Sequence, residues 1–208
     1  HGACANGQIW EQFGVAFANQ KKPLFAVSLP GHEEPMHAGL GKYTIGYYAA
    51  SVSRFIRGEI GACHVLGHSM GGLIAQQLDA SSDRLVERRV LVNAVPAGKP
   101  LLSPSLGLRA VKYLRAILFG LPWKYSRQDY FELLCSSMTS GLPHFLYAKS
   151  VPESGWAALH MLLGWTKVQP IAGEIHVVTA AGDLIVPPRL QRKLKETHSR
   201  VSTLDFQG

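Results

Sequence analysis

The residues best placed to do chemistry are the serine and glycines of Gly67-His68-Ser69-Met70-Gly71-Gly72. A serine hydroxyl is a weak nucleophile until a base takes its proton. Its attack on a carbonyl builds an oxyanion that backbone N–H groups can stabilise. Before the serine, Ala62-Cys63-His64-Val65-Leu66 is a short apolar run suited to a buried strand. After it, Leu73, Ile74 and Leu78 recur at helical spacing. Gly-x-Ser-x-Gly between such elements is a strand-to-helix turn too tight for side chains two positions either side of the serine. It holds Ser69 in a strained backbone conformation with its hydroxyl exposed. The bare pattern is common, and the strand before it and helix after it make it specific.

The remaining elements must bring partners to that serine. Ile9, Trp10, Phe13 and Phe17 mark an amphipathic helix closing near Asn19. Leu24–Leu29 reads as a strand ending at Pro30-Gly31-His32, and the loop to Gly41 carries Pro35 and Gly39. Thr44 is a suitable N-cap for a helix through Tyr48, Val52, Phe55 and Ile56. Arg89–Val95 reads as a third strand stopped by Pro96. Between Ala97 and Val168 helical pieces alternate with prolines and glycines, at Leu106–Phe119, Asp129–Met138 and Trp156–Leu163, with no clear strand. Glu174–Ala180 is a strand ending in Ala181-Gly182-Asp183, a helix follows from Pro188, and Arg200–Phe206 is a last strand.

Strands alternating with helices predict an α/β protein, a mostly parallel sheet with helices on both faces. The expected division is 1–96 as a first part of the core, 97–168 as an inserted helical cap and 169–208 as a second part of the core. In such sheets ligands bind at the carboxyl edge. The Ser69 turn, the Pro30-Gly31-His32 loop and Asp183 each follow a strand, so they are expected to share that edge.

Composition narrows the function classes. The 208 residues are 47% hydrophobic and 17% charged, which describes a folded chain able to bury a core. The net charge of +7 is not gathered into a nucleic-acid patch: Arg189, Arg192, Lys193 and Lys195 interleave with Leu190 and Leu194 as one solvated helix face. No apolar run reaches the ~20 residues of a membrane span. Three cysteines, Cys4, Cys63 and Cys135, stand at spacings that suggest neither a disulfide framework nor a metal site. No metal or cofactor is expected, and a reducing, cytoplasmic compartment fits best.

Four segments together resemble the α/β-hydrolase family. His1-Gly2 resembles its HG oxyanion loop, Leu29-Pro30-Gly31-His32 its LPGH segment, and GHSMGG its nucleophile turn. Asp183-Leu184-Ile185-Val186-Pro187 resembles its acid loop, with Gly182 immediately before the aspartate rather than a few residues earlier. The resemblance implies an α/β-hydrolase fold in which Ser69 is the nucleophile and Asp183 the triad acid. It implies that the backbone N–H groups of Met70 and Ala3 form the oxyanion hole.

The family's histidine follows the last strand, where this sequence has only Gln207-Gly208. None of the nine histidines replaces it. His198 precedes its strand, at the opposite edge from Ser69, and His64 and His176 lie within strands. His68 leaves the turn in another direction. His1, His32 and His37 belong to loops that shape the site, and His144 and His160 to the cap. The resemblance therefore implies an internal portion of a longer hydrolase, with its histidine expected after Gly208.

The expected function is hydrolysis of an ester or related acyl bond of a small apolar substrate through an acyl-enzyme on Ser69. Thioesters, lactones and C–C bonds are alternatives on the same fold. The cap is rich in leucine and carries Phe119, Trp123, Tyr125, Tyr130, Phe131, Phe145, Trp156 and Trp165, the makings of an apolar pocket. A non-catalytic binding protein that keeps the hydrolase fold is the other reading.

Overall fold

The computed structural model describes the chain apart from residues 34–36, 79–83, 102–103, 137, 139–140, 172 and 207–208, and apart from the side chains of 104, 105 and 108. Pro35 and Gln207-Gly208, named above, therefore lie outside the described residues.

The core is a four-stranded sheet of β1 (Cys63–His68), β2 (Val86–Val92), β5 (Glu174–Ala180) and β6 (Val201–Phe206), in the order β1-β2-β5-β6. All three ladders are parallel. Successive parallel strands need crossovers, and helices supply them. These are α3 (Met70–Gln76) after β1, and α8 (Pro188–Gln191) with α9 (Leu194–Thr197) between β5 and β6. Ahead of the sheet come α1 (Glu11–Asn19) and α2 (Ile45–Phe55), the latter capped as expected by Thr44, whose hydroxyl accepts the Tyr47 N–H.

Leu91, Ile175 and Val177 of the central strands are buried with Ala75 and Leu194 from flanking helices. A second, larger cluster joins α2 and α3 to the segment between β2 and β5. That segment contains α4 (Pro104–Phe119), α5 (Arg127–Leu134), α6 (Leu142–Ala148) and α7 (Gly155–Leu163). It also holds a two-residue antiparallel pairing of β3 (Pro122–Trp123) with β4 (Glu153–Ser154), where no strand is expected from sequence. Ser154 then caps α7, its hydroxyl accepting the Ala157 N–H and donating to the carbonyls of Gly41 and Tyr43.

Several features differ from the sequence expectations. Leu24–Leu29 forms no regular element and joins no ladder among the described residues. The stretch 1–7 makes contact with it instead: the Leu29 N–H donates to His1 Nε2, and Ser28 Oγ accepts the Gly7 N–H. The strand predicted over Arg89–Val95 runs from Val86 to Val92. Asn93 ends it by turning to φ 44°, a conformation asparagine tolerates, and its side chain accepts the Ala180 N–H of β5. The apolar stripe of α1 buries no residue fully, and its Phe13 packs edge-on against Trp10. Among the described residues no helix is long and apolar enough to cross a membrane.

Candidate active site

Ser69 stands between β1 and α3 with φ 54° and ψ −116°, outside the regions comfortable for a side chain-bearing residue. The surroundings fix that conformation. Its N–H donates to the Val92 carbonyl, and its own carbonyl accepts from Gly72, Leu73 and Val95. Close approach explains the flanking glycines. A Cβ on Gly67 would lie 2.4 Å from the Gly71 carbonyl oxygen, and one on Gly71 would lie 2.6 Å from that of His1. The chain at His1-Gly2 therefore passes directly over the start of α3. Gly2 in turn sits so close that a Cβ there would be 3.1 Å from the Ser69 Cβ.

Asn93 continues the same edge: its N–H donates to Val178, and its side chain accepts from Ala180. The Ala180 carbonyl then accepts the Asp183 N–H. Ser69 and Asp183 thus both follow the carboxyl ends of parallel strands, β1 and β5, with β2 between them. Two ladder steps separate those strands by about 10 Å. Asp183 Oδ1 accepts the N–H groups of Ile185 and Val186, both at 2.8 Å, leaving Oδ2 as the remaining acceptor. Burial raises the Asp183 carboxyl above the ordinary aspartate range, and the two amides pull part of the way back.

A cavity of about 90 Å³ opens beside the serine. Gly2, Ala3, His68, Ser69 and Ile185 line it from the core side. One face of α4 lines the other: Leu106, Arg109, Ala110, Tyr113 and Ile117 recur at helical spacing. Trp123, Tyr125 and Met161 close it. The wall is mostly apolar, with Tyr113 already engaged: its hydroxyl donates to Asp129 and accepts the Ser126 N–H.

Of the residues singled out from sequence, Ser69 and Ala3 share the cavity wall and Met70 lies fully buried as the first residue of α3. Its N–H has no carbonyl of its own helix to bond. Asp183 does not line the cavity; its loop reaches it through Ile185. His68 departs from expectation, because its ring lies on the cavity wall beside Gly2 rather than turned away. Burial holds its pKa down to about 4, so at neutral pH the imidazole is uncharged.

Other histidines are committed elsewhere. His32 Nε2 bonds the buried carboxylate of Glu153 at 2.9 Å. His1 accepts from Leu29, and His198 accepts from Ile171. His37 contacts Tyr43, His144 contacts Arg127 and His176 contacts Ser202. Of the aromatic residues noted between 97 and 168, only Trp123 and Tyr125 reach the cavity, whereas Phe119, Phe145 and Trp165 are exposed. Arg109 and Tyr113 were not singled out, although they lie on the same helical stripe as Leu106 and Ile117.

The alpha/beta hydrolase family model matches residues 1–205. A pimeloyl-(acyl-carrier protein) methyl ester esterase of Aeromonas hydrophila is 31% identical over 96 residues, covering 46% of this chain and 36% of that protein. A putative carbamate hydrolase of Agrobacterium fabrum is 29% identical over 156 residues, covering 69% of this chain and 58% of that protein. The chain thus spans less than two thirds of the length of these curated relatives. Among solved structures, a thermophilic esterase from Thermogutta terrifontis superposes with a TM-score of 0.74 at 16% identity, covering 99% of this chain and 78% of that one. At that identity the likeness is one of fold. With the parallel sheet, the strained serine turn and the family match over nearly the whole sequence, the chain belongs to the alpha/beta hydrolase family.

Proposed function

We propose that this chain carries the nucleophile and acid of a serine hydrolase that cleaves an ester or related acyl bond of a small, largely apolar substrate. The observation that carries the reading is Ser69 itself, held at φ 54° on the wall of an apolar cavity. Strain of that kind persists only where surroundings impose it, and here it presents a hydroxyl to a ligand space. Ser69 attacks the acyl carbon, and the N–H groups of Met70 and Ala3 take the oxyanion. Each such donor contributes roughly 3–4 kcal/mol in a comparable hydrolase. Asp183 orients the base, and its separation from Ser69 by two ladder steps leaves room for an imidazole between them. The base itself is not assigned to any described residue. His68 shares the cavity wall, but burial holds its pKa down to about 4, which suits a weak base poorly matched to neutral pH.

Residues 97–168 act in this reading as the cap that shapes the acyl pocket. The cavity of about 90 Å³ is smaller than the ~150 Å³ space that accommodates benzene in a well-studied case, so it fits a short acyl chain better than a long one. The names of the relatives, a methyl ester esterase and a putative carbamate hydrolase, favour the same acyl chemistry. The test is covalent labelling with a short-chain alkyl fluorophosphonate, read by intact mass and peptide mapping. Label on Ser69, lost in Ser69→Ala, supports the reading. A folded protein that binds short esters yet takes no label at Ser69 refutes it and leaves the binding-protein alternative.

A further inference from the structure

Arg109 stands on the cavity-facing stripe of α4 between Leu106 and Ile117, a charged residue among apolar ones. Glu132 of α5 accepts from its Nη2, and Gln128 steadies that carboxylate from the other side at 2.9 Å. Its Nη1 is buried and has no hydrogen-bond partner among the described residues. A buried cationic N–H left without an acceptor is costly, far more so than one that was never buried. The neighbouring polar groups do not relieve it, because the Tyr113 hydroxyl and the Asp129 carboxylate are bonded to one another and to Ser126 and Lys112.

We infer that Arg109 is a specificity residue, and that the acyl group taken by this cavity carries an oxygen acceptor away from the scissile bond. The inference rests on the reading of the cavity as the acyl pocket of Ser69. A purely hydrocarbon acyl chain would fill the space and leave Nη1 unanswered. A chain ending in a carboxylate, ketone or hydroxyl brings an acceptor to it. A carboxylate gains most, because a charge-assisted bond to guanidinium is stronger than a neutral one. Glu132 already balances the formal charge of Arg109, so a neutral oxygen is also accommodated.

The experiment measures equilibrium binding to the Ser69→Ala protein, where no turnover interferes. Three p-nitrophenyl esters of equal chain length serve as probes: hexanoate, 5-oxohexanoate and the monoester of hexanedioate. The oxygenated esters are expected to bind about tenfold more tightly than hexanoate, the ratio one satisfied buried donor supports. Arg109→Met is expected to abolish that preference, read as the ratio of each oxygenated ester's affinity to that of hexanoate in the same protein. Equal weakening of all three esters would make Arg109 a packing residue, and an unchanged preference would exclude it; either overturns the inference. Should Arg109→Met fail to fold, Glu132→Gln keeps the guanidinium and uncovers its charge. It is expected to tighten the hexanedioate ester alone, and no change overturns the inference. Failure of the fluorophosphonate to label Ser69 would sink the hydrolase reading while leaving this binding preference standing, so the two failures are distinct.

Discussion

Glu153 is the residue whose replacement should reveal how the segment between β2 and β5 is held to the sheet. Its carboxylate is wholly buried and accepts three hydrogen bonds. His32 Nε2 lies 2.9 Å from Oε2, while the Tyr48 hydroxyl at 2.9 Å and the Ser154 N–H at 2.7 Å donate to Oε1. The three partners come from the loop after residue 29, from α2 and from β4 itself, so one side chain ties the segment to the core. Its negative charge also adds to burial in holding the Tyr48 phenol well above the ordinary tyrosine range. His32 in turn packs its ring 4.9 Å from that of His1, next to Gly2 and the cavity.

Glu153→Ala removes the acceptor from three buried donors at once and leaves a void. Breaking a buried pair in this way costs about 3–5 kcal/mol. For a chain of this length each kcal/mol lowers Tm by about 2–4 °C, giving a fall of roughly 6–20 °C. Glu153→Gln is the discriminating variant. It keeps Oε1 facing Tyr48 and Ser154 and changes only the atom facing His32. That imidazole must then accept through Nε2 and carry its proton on Nδ1, which is buried without a partner. One orphaned donor costs about 1–3 kcal/mol, clearly less than the alanine. Thermal unfolding followed by calorimetry and near-ultraviolet circular dichroism separates the two. A Glu153→Ala protein melting within about 2 °C of the parent would refute the account, since that is less than 1 kcal/mol. So would a glutamine variant that melts as low as the alanine.

Three further outcomes are expected. His68 should titrate near 4 by NMR; because its folded pKa lies below the ordinary 6.5, the stability it contributes is complete above about pH 6.5 and is lost as pH falls toward 4, and a midpoint near 6.5 would refute the burial argument. Asp183→Asn keeps the Oδ1 acceptor for Ile185 and Val186 and should unfold close to the parent, whereas Asp183→Ala should lose about 1–3 kcal/mol in denaturant titration. Burial raises the Asp183 carboxyl, so its ionisation opposes folding as pH rises through the carboxylate range, and the asparagine should remove that slope; equal losses in both variants would refute the acceptor role. Gly67→Ala places a Cβ 2.4 Å from the Gly71 carbonyl oxygen and should cost more than the roughly 1–3 kcal/mol of ordinary overpacking, abolishing Ser69 labelling; a stable, labelled variant would refute the geometry of the turn.

What the sequence made legible is what a local stretch of chain must do for itself. Glu174–Ala180 is read to the residue because Ile175, Val177 and Thr179 alternate inward along it and a sharp turn follows. Thr44 is read because capping is settled within four residues. Leu24–Leu29 has the composition of a strand but no ladder, because a strand exists only where another strand receives its hydrogen bonds. The pairing of Pro122–Trp123 with Glu153–Ser154 leaves no periodic trace, since two residues are too few to alternate. For the same reason the buried contact between His32 and Glu153, 121 positions apart, has no signature in either neighbourhood.

The site divides along the same line. Ser69 and its glycines declare themselves because the turn is a single local object, and each glycine answers a backbone contact. The opposite wall is a matter of helix phase. On α4, Leu106, Arg109, Tyr113 and Ile117 face the cavity, whereas Val111, Leu114 and Leu118 stand exposed. Both sets are spaced at three or four residues, so hydrophobicity alone selects neither face, and the more apolar set is the one turned outward. Arg109 breaks that symmetry. A guanidinium whose Nη1 is buried on an otherwise apolar inward stripe has to be answered by a carboxylate, a ligand or both, and the half-exposed Glu132 answers only one of its two terminal nitrogens. The charged residue on the apolar face is therefore the better guide to the pocket than the aromatic content of the segment.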